Sequence, residues 1–192
     1  MNWYTADLHL GHGNIIQYAK RDSLGSIQDH DNAIIDNLNN CVAKKDRLFI
    51  LGDFCFSKGD YLANVARLRN RIRCEYITFV LGNHDRRSIK QHFPQCFDYF
   101  EQKVDGQLIV MSHYPMAAWN KSHRGSWMLY GHCHTTAEDW LDGAMPTRKS
   151  IDVGVDNAKR LLGSYKPFSF DELKDIFHER SGCSIDSGKR AD

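Results

Sequence analysis

The sequence predicts an α/β fold (α+β in some classifications) with a parallel sheet first and a partly antiparallel sheet after it. Apolar runs alternate with helical patterns between residues 3 and 81, in the order strand, helix, strand, helix, strand. Farther along, two strand-like runs flank Asp105-Gly106, a strong hairpin signal. No repeat or low-complexity linker precedes residue 180, so we expect one domain over residues 1–180 and a polar tail over residues 181–192.

The first half contains three predicted strands with two helices between them. Residues 3–6, 47–51 and 76–81 are short apolar runs, and the second and third are ended by Gly-Asp and by glycine. Ser26 precedes apolar residues at helical spacing, so it is expected to cap the first helix. A second helix is expected to begin at Asp60.

The second half supplies the remaining elements. Strands are predicted over residues 98–104, 107–111, 127–130 and 150–153. The first two are joined by the Asp-Gly turn and must therefore run antiparallel. Ser169 and Glu172 have the spacing of a capping box, which predicts a final helix that begins there.

Composition excludes several classes of protein. The 192 residues contain 25 Lys and Arg against 24 Asp and Glu, a net charge of +1, which argues against a chain that coats nucleic acid. No apolar run approaches the roughly 20 residues that span a bilayer, and the first residues do not resemble a signal peptide. Six cysteines without a CxxC pair indicate reduced thiols, so we expect a cytoplasmic protein without a membrane partner.

Polar residues follow the predicted strands, each set at the point where its strand ends. In chain order they are Asp7 and His9, then Asp53, then Asn83, His84 and Asp85, then His113, and finally His132 and His134. Because the carboxyl ends of such strands face the ligand crevice of a sheet, residues distant in sequence can meet there. The pattern predicts one site at this edge.

The residue types indicate metal binding. Aspartate, histidine and asparagine suit Mn²⁺, Fe, Zn²⁺ or Mg²⁺, and the motifs lack the thiolate set of a structural zinc site. Seven such residues are too many for one ion but suit a pair. We assign Asp7, His9 and His134 to one ion, Asn83, His113 and His132 to the other, and Asp53 to both. Cys55 and Cys133 lie beside these motifs and are interpreted as small buried fillers, with soft ligation as the alternative.

These motifs, in this order, resemble the calcineurin-like metallophosphoesterases, and the small stand-alone bacterial and phage members in particular. The signature is D-x-H, G-D, G-N-H-D/E, H and G-H-x-H, spread here over residues 7–134, and residues 151–154 resemble the strand that closes the family's core. The resemblance implies a four-layer αββα sandwich with two mixed sheets. It also implies phosphoester hydrolysis by a hydroxide that bridges two divalent ions, with Mn²⁺ favoured and Fe, Zn²⁺, Ni²⁺ and Mg²⁺ as alternatives.

The resemblance further implies a role for His84 and Asp85, which are not assigned to a metal ion. His84 would donate a proton or hydrogen bond to the leaving oxygen, and Asp85 would hold its other ring nitrogen. Arg86 and Arg87 directly follow this motif and are candidates for contact with a substrate phosphate. Asn120, His123 and Arg124 lie in a polar, aromatic loop between the last two motifs and are further candidates for substrate binding.

The substrate is less constrained than the reaction. A chain of this length has little room for a cap domain, so we expect a phosphodiesterase or phosphatase for a small or exposed phosphoester, nucleotides included. The stretch Gly-Asp-Phe-Cys-Phe-Ser departs from the Gly-Asp-x-Val-Asp-Arg-Gly form of protein serine/threonine phosphatases. A DNA or RNA nuclease is the alternative enzyme, although a nucleic-acid partner is not favoured. A metal-stabilised scaffold without activity is the alternative of another class, and the oligomeric state stays open.

Overall fold

The computed structural model describes residues 1–57 and 59–180, so the predicted polar tail lies outside the described residues. The strands of this part are β1 (Asn2–Thr5), β2 (Arg47–Leu51), β3 (Tyr76–Val80), β4 (Gln95–Phe97), β5 (Phe100–Val104), β6 (Gln107–Met111), β7 (Trp127–Tyr130), β8 (Ser150–Asp152) and β9 (Phe168–Ser169). The helices are α1 (Ile15–Tyr18), α2 (Ile27–Cys41), α3 (Tyr61–Arg69), α4 (Glu138–Ala144), α5 (Val155–Leu162) and α6 (Phe170–His178). None of these helices is long and apolar enough to cross a membrane.

The strands form two mixed sheets. The first has the order β4-β3-β2-β1-β9, in which β1 to β4 are parallel and β9 is antiparallel to β1. The second has the order β5-β6-β7-β8, in which β5 is antiparallel to β6 and the other pairs are parallel. The predicted parallel first half and hairpin-containing second half are confirmed.

Alternation along each strand explains how the layers pack. In β2, Leu48 and Ile50 face the cluster that includes helices α2 and α3, whereas Phe49 faces the second sheet. In the second sheet, Ile109 and Leu129 point back into this shared core. A smaller apolar cluster on the far side of the second sheet contains Val110, Met128 and Trp119, with Leu141 of α4 packed against it. This is the sandwich of two mixed sheets and outer helices that the family resemblance implied.

Capping side chains begin the longer helices where the sequence predicts. Ser26 and Asp29 form a capping box at the start of α2, and Asp60 accepts a hydrogen bond from the third residue of α3. Ser169 and Glu172 form a second capping box at the start of α6. Each cap is worth about 1 kcal/mol, because it satisfies backbone N–H groups that have no partner within the helix.

The sequence patterns did not predict five elements, which are helices α1, α4 and α5 and strands β4 and β9. Helix α1 has four residues and β9 has two, which is too few for a hydrophobic period to be visible. The hairpin turn forms as expected, since Asp105 and Gly106 have φ values of 47° and 87°, the left-handed pair of a type I′ turn. The two sheets are joined beside the strand ends by a bridge between Ala6 and Gly154.

Candidate metal centre

Five residues of the motifs adopt a backbone conformation that side chains disfavour. The φ values are 57° at Asp7, 49° at His9, 55° at Asp53, 71° at His132 and 45° at His134. Non-glycine residues in this left-handed region carry a conformational cost, and they persist where the surrounding structure holds them. The loops after β1, β2 and β7 are therefore strained at the positions whose side chains turn toward the common edge.

Close backbone contacts hold these loops together. The N–H of Asp7 donates to the carbonyl of Gly52 (3.1 Å), and the N–H of His9 donates to the carbonyl of Asp53 (2.9 Å). The N–H of His132 donates to Asp7 Oδ2 at 2.9 Å. A Cβ atom at Gly131 would lie 2.5 Å from the same carboxylate oxygen, so a glycine is required there.

The first cluster consists of Asp7, His9 and His134, whose ligand atoms lie within 4.8 Å of one another. Asp7 Oδ1 and His9 Nε2 are buried without a hydrogen-bond partner, and 4.0 Å separates them. A buried polar atom without a partner costs about 1–3 kcal/mol. A carboxylate oxygen and an imidazole nitrogen that face the same space are the donors that a divalent cation would satisfy, so these residues suit a metal ion.

The second cluster consists of Asp53, His113 and His132, again with ligand atoms within 4.8 Å. His113 donates from Nδ1 to the carbonyl of Leu51 (2.8 Å), which leaves Nε2 facing the cluster. Asn83 joins the group, because its Oδ1 lies 2.9 Å from His113 Nε2 and 3.0 Å from His132 Nδ1. All four side chains thus converge.

Asp53 lies between the two clusters. Its Oδ2 is 3.5 Å from His9 Nε2 and 3.4 Å from His113 Nε2, so one oxygen faces both groups. Burial raises the pKa of this carboxyl, but a hydrogen bond from His113 and the charges nearby outweigh it and lower the pKa to about 2. Burial lowers the pKa of His9 to about 2, so its ring is neutral at physiological pH, the form that binds a metal.

Asp85 and His84 follow Asn83 in the third motif and are not assigned to a metal. The contacts of Asp85 differ from the expected contact with the His84 ring. The Asp85 carboxylate accepts hydrogen bonds from the backbone N–H groups of Asp53 (2.8 Å), Gly82 (2.9 Å) and Phe54 (3.1 Å). It therefore joins the loops after β2 and β3, where the resemblance implied a contact with the His84 ring. His84 donates its backbone N–H to Asp53 Oδ1 (3.0 Å), and its exposed ring lies 5.4 Å from that of His9, centre to centre.

Two residues behind the first cluster were missed by the sequence analysis. His134 donates from Nδ1 to Asp156 Oδ2 at 2.7 Å, which leaves Nε2 open to an ion. Asp156 in turn pairs with the buried guanidinium of Arg21. Asp156 lies in α5 directly after the closing strand, so an acid at that place was a usable signal, whereas Arg21 has no motif around it.

Comparison with known proteins agrees with this geometry. The profile of the calcineurin-like phosphoesterase family matches residues 3–182. The chain belongs to this family. As a calcineurin-like phosphoesterase it is a phosphoric ester hydrolase that depends on metal ions, as the family resemblance implied.

Relatives of this phosphoesterase occur in archaea and phages. The chain is 32% identical over 169 residues to the uncharacterized protein MJ1445 of Methanocaldococcus jannaschii, across 88% of this chain and 86% of that protein. It is 27% identical over 182 residues to the Gene 66 protein of Mycobacterium phage D29, across 80% and 87% of the two chains. The fold is shared with AQ665 of Aquifex aeolicus, a protein of unknown function, with a TM-score of 0.67 at 22% identity across 92% and 98% of the chains.

The five residues that were predicted to contact the substrate lie at several different places in the phosphoesterase. The Arg86 guanidinium lies over the Tyr61 ring at 5.0 Å, and that of Arg87 pairs with Asp98 at 3.3 Å. The Asn120 amide donates to both carboxylate oxygens of Glu101 (3.2 and 2.9 Å). His123 and Arg124 lie in the 3₁₀ turn that precedes the amino end of β7. Contact of these five residues with substrate stays a prediction.

Of the two cysteines beside the motifs, Cys55 is buried, as the sequence analysis expected, whereas Cys133 is only half-buried. Burial raises the pKa of Cys55 to about 12 and that of Cys133 to about 11.

A cleft of about 450 Å³, here called the central cleft, opens over the clusters and is lined in part by His9, His84, His132 and His134. The phosphoesterase therefore has an accessible space next to its candidate ligands.

Proposed function

We propose that the chain hydrolyses a small phosphoester at a centre of two divalent cations. One ion would be held by Asp7, His9 and His134, the other by Asn83, His113 and His132, with Asp53 shared between them. The observation that carries the proposal is the position of Asp53 Oδ2, at 3.5 Å from His9 Nε2 and 3.4 Å from His113 Nε2. One carboxylate oxygen that faces two ligand clusters is the arrangement a pair of ions requires.

Mn²⁺ is the ion we propose, with Fe, Zn²⁺, Ni²⁺ and Mg²⁺ as alternatives, since a set that combines carboxylate and amide oxygens with imidazole nitrogens accepts all of these ions. Two bound ions would neutralise the phosphoryl oxygens and activate a water molecule for attack. The chain's own contribution is positioning. The strained loops and the buried hydrogen bonds of Asp85, Asp156 and Leu51 fix the ligands before substrate arrives.

His84 is proposed to act at the leaving oxygen. Its backbone N–H is held by Asp53, while its ring is exposed at the central cleft and contacts no carboxylate of the described residues. A ring in that position is able to donate a hydrogen bond or proton to the departing group without holding a metal. Asp85 then serves this step indirectly, because it fixes the turn that carries His84.

A small or exposed phosphoester, diester or monoester, suits the accessible central cleft best. We also propose a cytoplasmic location, which is supported by the free thiols of the five described cysteines. The nuclease alternative predicts a different outcome from the same assays, since it requires cleavage of oligonucleotides in preference to small esters.

The test combines metal analysis with turnover. Protein stripped with a chelator and reloaded with Mn²⁺ should bind two ions per chain and hydrolyse bis(p-nitrophenyl) phosphate. Asp53→Asn should lose at least one ion and the activity, whereas Asp175→Asn, an exposed acid on α6, should retain both. Two bound ions without turnover of any ester would favour the scaffold, and turnover confined to oligonucleotides would favour the nuclease.

A further inference from the structure

A second cavity adjoins the central cleft. It has a volume of about 510 Å³, which is within the range of about 300–1,000 Å³ usual for small-molecule sites, and its walls include His12, Gly13, Asn14, Phe56 and Asn64. We call it the lateral cavity. His12 lines both spaces, so the lateral cavity begins where the wall of the central cleft ends.

Aromatic rings form the boundary between the two spaces. The His12 ring stacks on Phe56 with the ring centres 4.8 Å apart and the planes at 29°. The centre of the His12 ring also lies 6.1 Å from that of the His84 ring, and Tyr18 approaches it edge-on at 6.5 Å. Phe56 is 37% exposed and Tyr18 is 73% exposed, so large aromatic surfaces face solvent beside the candidate active site. Exposed aromatic faces beside a cleft are typical of binding sites for flat rings.

The polar groups of the lateral cavity suit a neutral ring with hydrogen-bonding edges. Its described walls contain no aspartate, glutamate, lysine or arginine. The Asn14 side chain makes no capping bond to α1, so its amide is able to donate and accept. An anionic group would find no fixed counter-charge among these described walls, and an aliphatic group would make no hydrogen bond to the exposed Asn14 amide.

We propose that the lateral cavity binds the nucleobase of a nucleoside phosphoester whose phosphate lies at the metal centre. His12 and Phe56 are then specificity-determining residues that supply the stacking wall, and Asn14 contacts the edge of the base. The proposal rests on the proposed function, since it adds the class of the esterified group to that reaction.

Gly13 offers a direct way to block the cavity. A Cβ atom at Gly13 would meet nothing within 4 Å, and its backbone is not in the left-handed region, so a side chain there extends into open space. Gly143 on α4 is also exposed and equally open but lies outside both cavities, which makes Gly143→Leu a matched control for Gly13→Leu. Phe56→Ala is a second, independent variant, because it removes stacking surface without filling the space.

The experiment measures binding of adenosine monophosphate and of ribose 5-phosphate to the Mn²⁺-loaded full chain by calorimetry. The two ligands share the sugar and phosphate and differ in the base. We expect adenosine monophosphate to bind at least tenfold more tightly, as one base–aromatic stack allows. Gly13→Leu and Phe56→Ala should each reduce this advantage to less than threefold. Gly143→Leu should preserve it, with a Tm equal to or above that of the wild type, because leucine favours a helix more than glycine does.

Equal binding of the two ligands to the wild type would overturn the proposal, as would an advantage that survives both cavity variants. Single-stranded oligonucleotides of two and ten residues form a further arm, and affinity that rises steeply with length would replace a mononucleotide with a nucleic acid as the ligand. Hydrolysis of methyl p-nitrophenyl phosphate is measured in parallel. If this ester turns over while the base gives no advantage, the lateral cavity assignment fails alone. If no ester turns over although Mn²⁺ binds, the proposed function itself fails.

Discussion

Arg21 and Asp156 form a buried two-point ion pair beneath the candidate metal centre, although 135 residues separate them in sequence. Arg21 Nε lies 2.8 Å from Asp156 Oδ1, and Nη2 lies 2.7 Å from Oδ2. The same Nη2 donates to the carbonyl of Asp7 at 2.9 Å. One guanidinium therefore holds both the strained backbone of Asp7 and the carboxylate that orients His134.

This arrangement predicts that Asp156→Asn weakens metal binding at the first cluster. The amide keeps the shape of the side chain but loses the charge that fixes the Nδ1–H tautomer of His134 and neutralises Arg21. Loss of such a supporting contact lowers metal affinity by roughly 10- to 100-fold. Competition with a fluorescent chelator would measure the affinity for Mn²⁺.

The exposed acid Asp175 provides the control, and Asp175→Asn should bind Mn²⁺ as the wild type does. Because Asp156→Asn also leaves Arg21 with a weaker partner, its Tm should be measured without metal. Unchanged affinity for Mn²⁺ in a folded Asp156→Asn protein would contradict the role assigned to this pair.

The contacts of Asp85 lead to a prediction about stability. Its carboxylate accepts three backbone N–H groups, from Asp53, Phe54 and Gly82, so Asp85→Ala removes all three acceptors at once. We expect a loss of about 3 kcal/mol or more, at about 1–3 kcal/mol for each donor left without a partner. Urea denaturation in the presence of a chelator would measure this without a contribution from bound metal.

The role that the family resemblance implied for Asp85 predicts a different experimental result. If Asp85 served mainly to hold the His84 ring, Asp85→Ala would keep the free energy of unfolding and lower kcat alone. Asp98→Ala is a suitable control, since Asp98 is a largely exposed acid whose partner is the exposed Arg87. A fully stable Asp85→Ala protein would therefore favour the alternative.

Much of the centre was predictable because it depends on local rules. Parallel strands bring their carboxyl ends to one edge, so the residues after β1 and β2 were expected to meet, and Asp53 does lie beside His9. The cap at Ser26 and the capping box at Ser169 were predicted because each involves neighbours three residues apart, and the structure adds Asp29 as the partner of Ser26.

The features of the fold and the site that the sequence did not predict depend on packing between distant segments. Arg21 follows a four-residue helix and has no local pattern that indicates a partner in α5. The contacts of Asp85 depend on how two loops approach each other, and a motif specifies only that an acid follows His84. The two-residue strand β9 exists because it pairs with β1, and its sequence carries no period of its own.

His84 should be separable from the metal ligands by mutation. Its ring is exposed and lies outside both ligand clusters, so His84→Asn is expected to retain both ions. Turnover should fall by about 10²–10⁴-fold, the usual contribution of a general acid, and most for esters with poor leaving groups. Kinetics with phenyl and p-nitrophenyl esters, together with metal analysis of the same sample, would test this. Wild-type kcat for a phenyl ester would remove His84 from the reaction.

Gly82 gives the sharpest steric prediction about the shared ligand. A Cβ atom there would lie 2.3 Å from Asp53 Oδ1 and 2.6 Å from the backbone nitrogen of Asp53, far inside van der Waals contact. Because Gly82 does not have a positive φ, alanine introduces no backbone strain of its own, and the effect of Gly82→Ala must come from the displaced Asp53 loop. We expect bound Mn²⁺ to fall below two ions per chain, whereas Gly143→Ala, in open space, should retain both. Full metal occupancy in Gly82→Ala would show that Asp53 need not remain in place for both ions to bind.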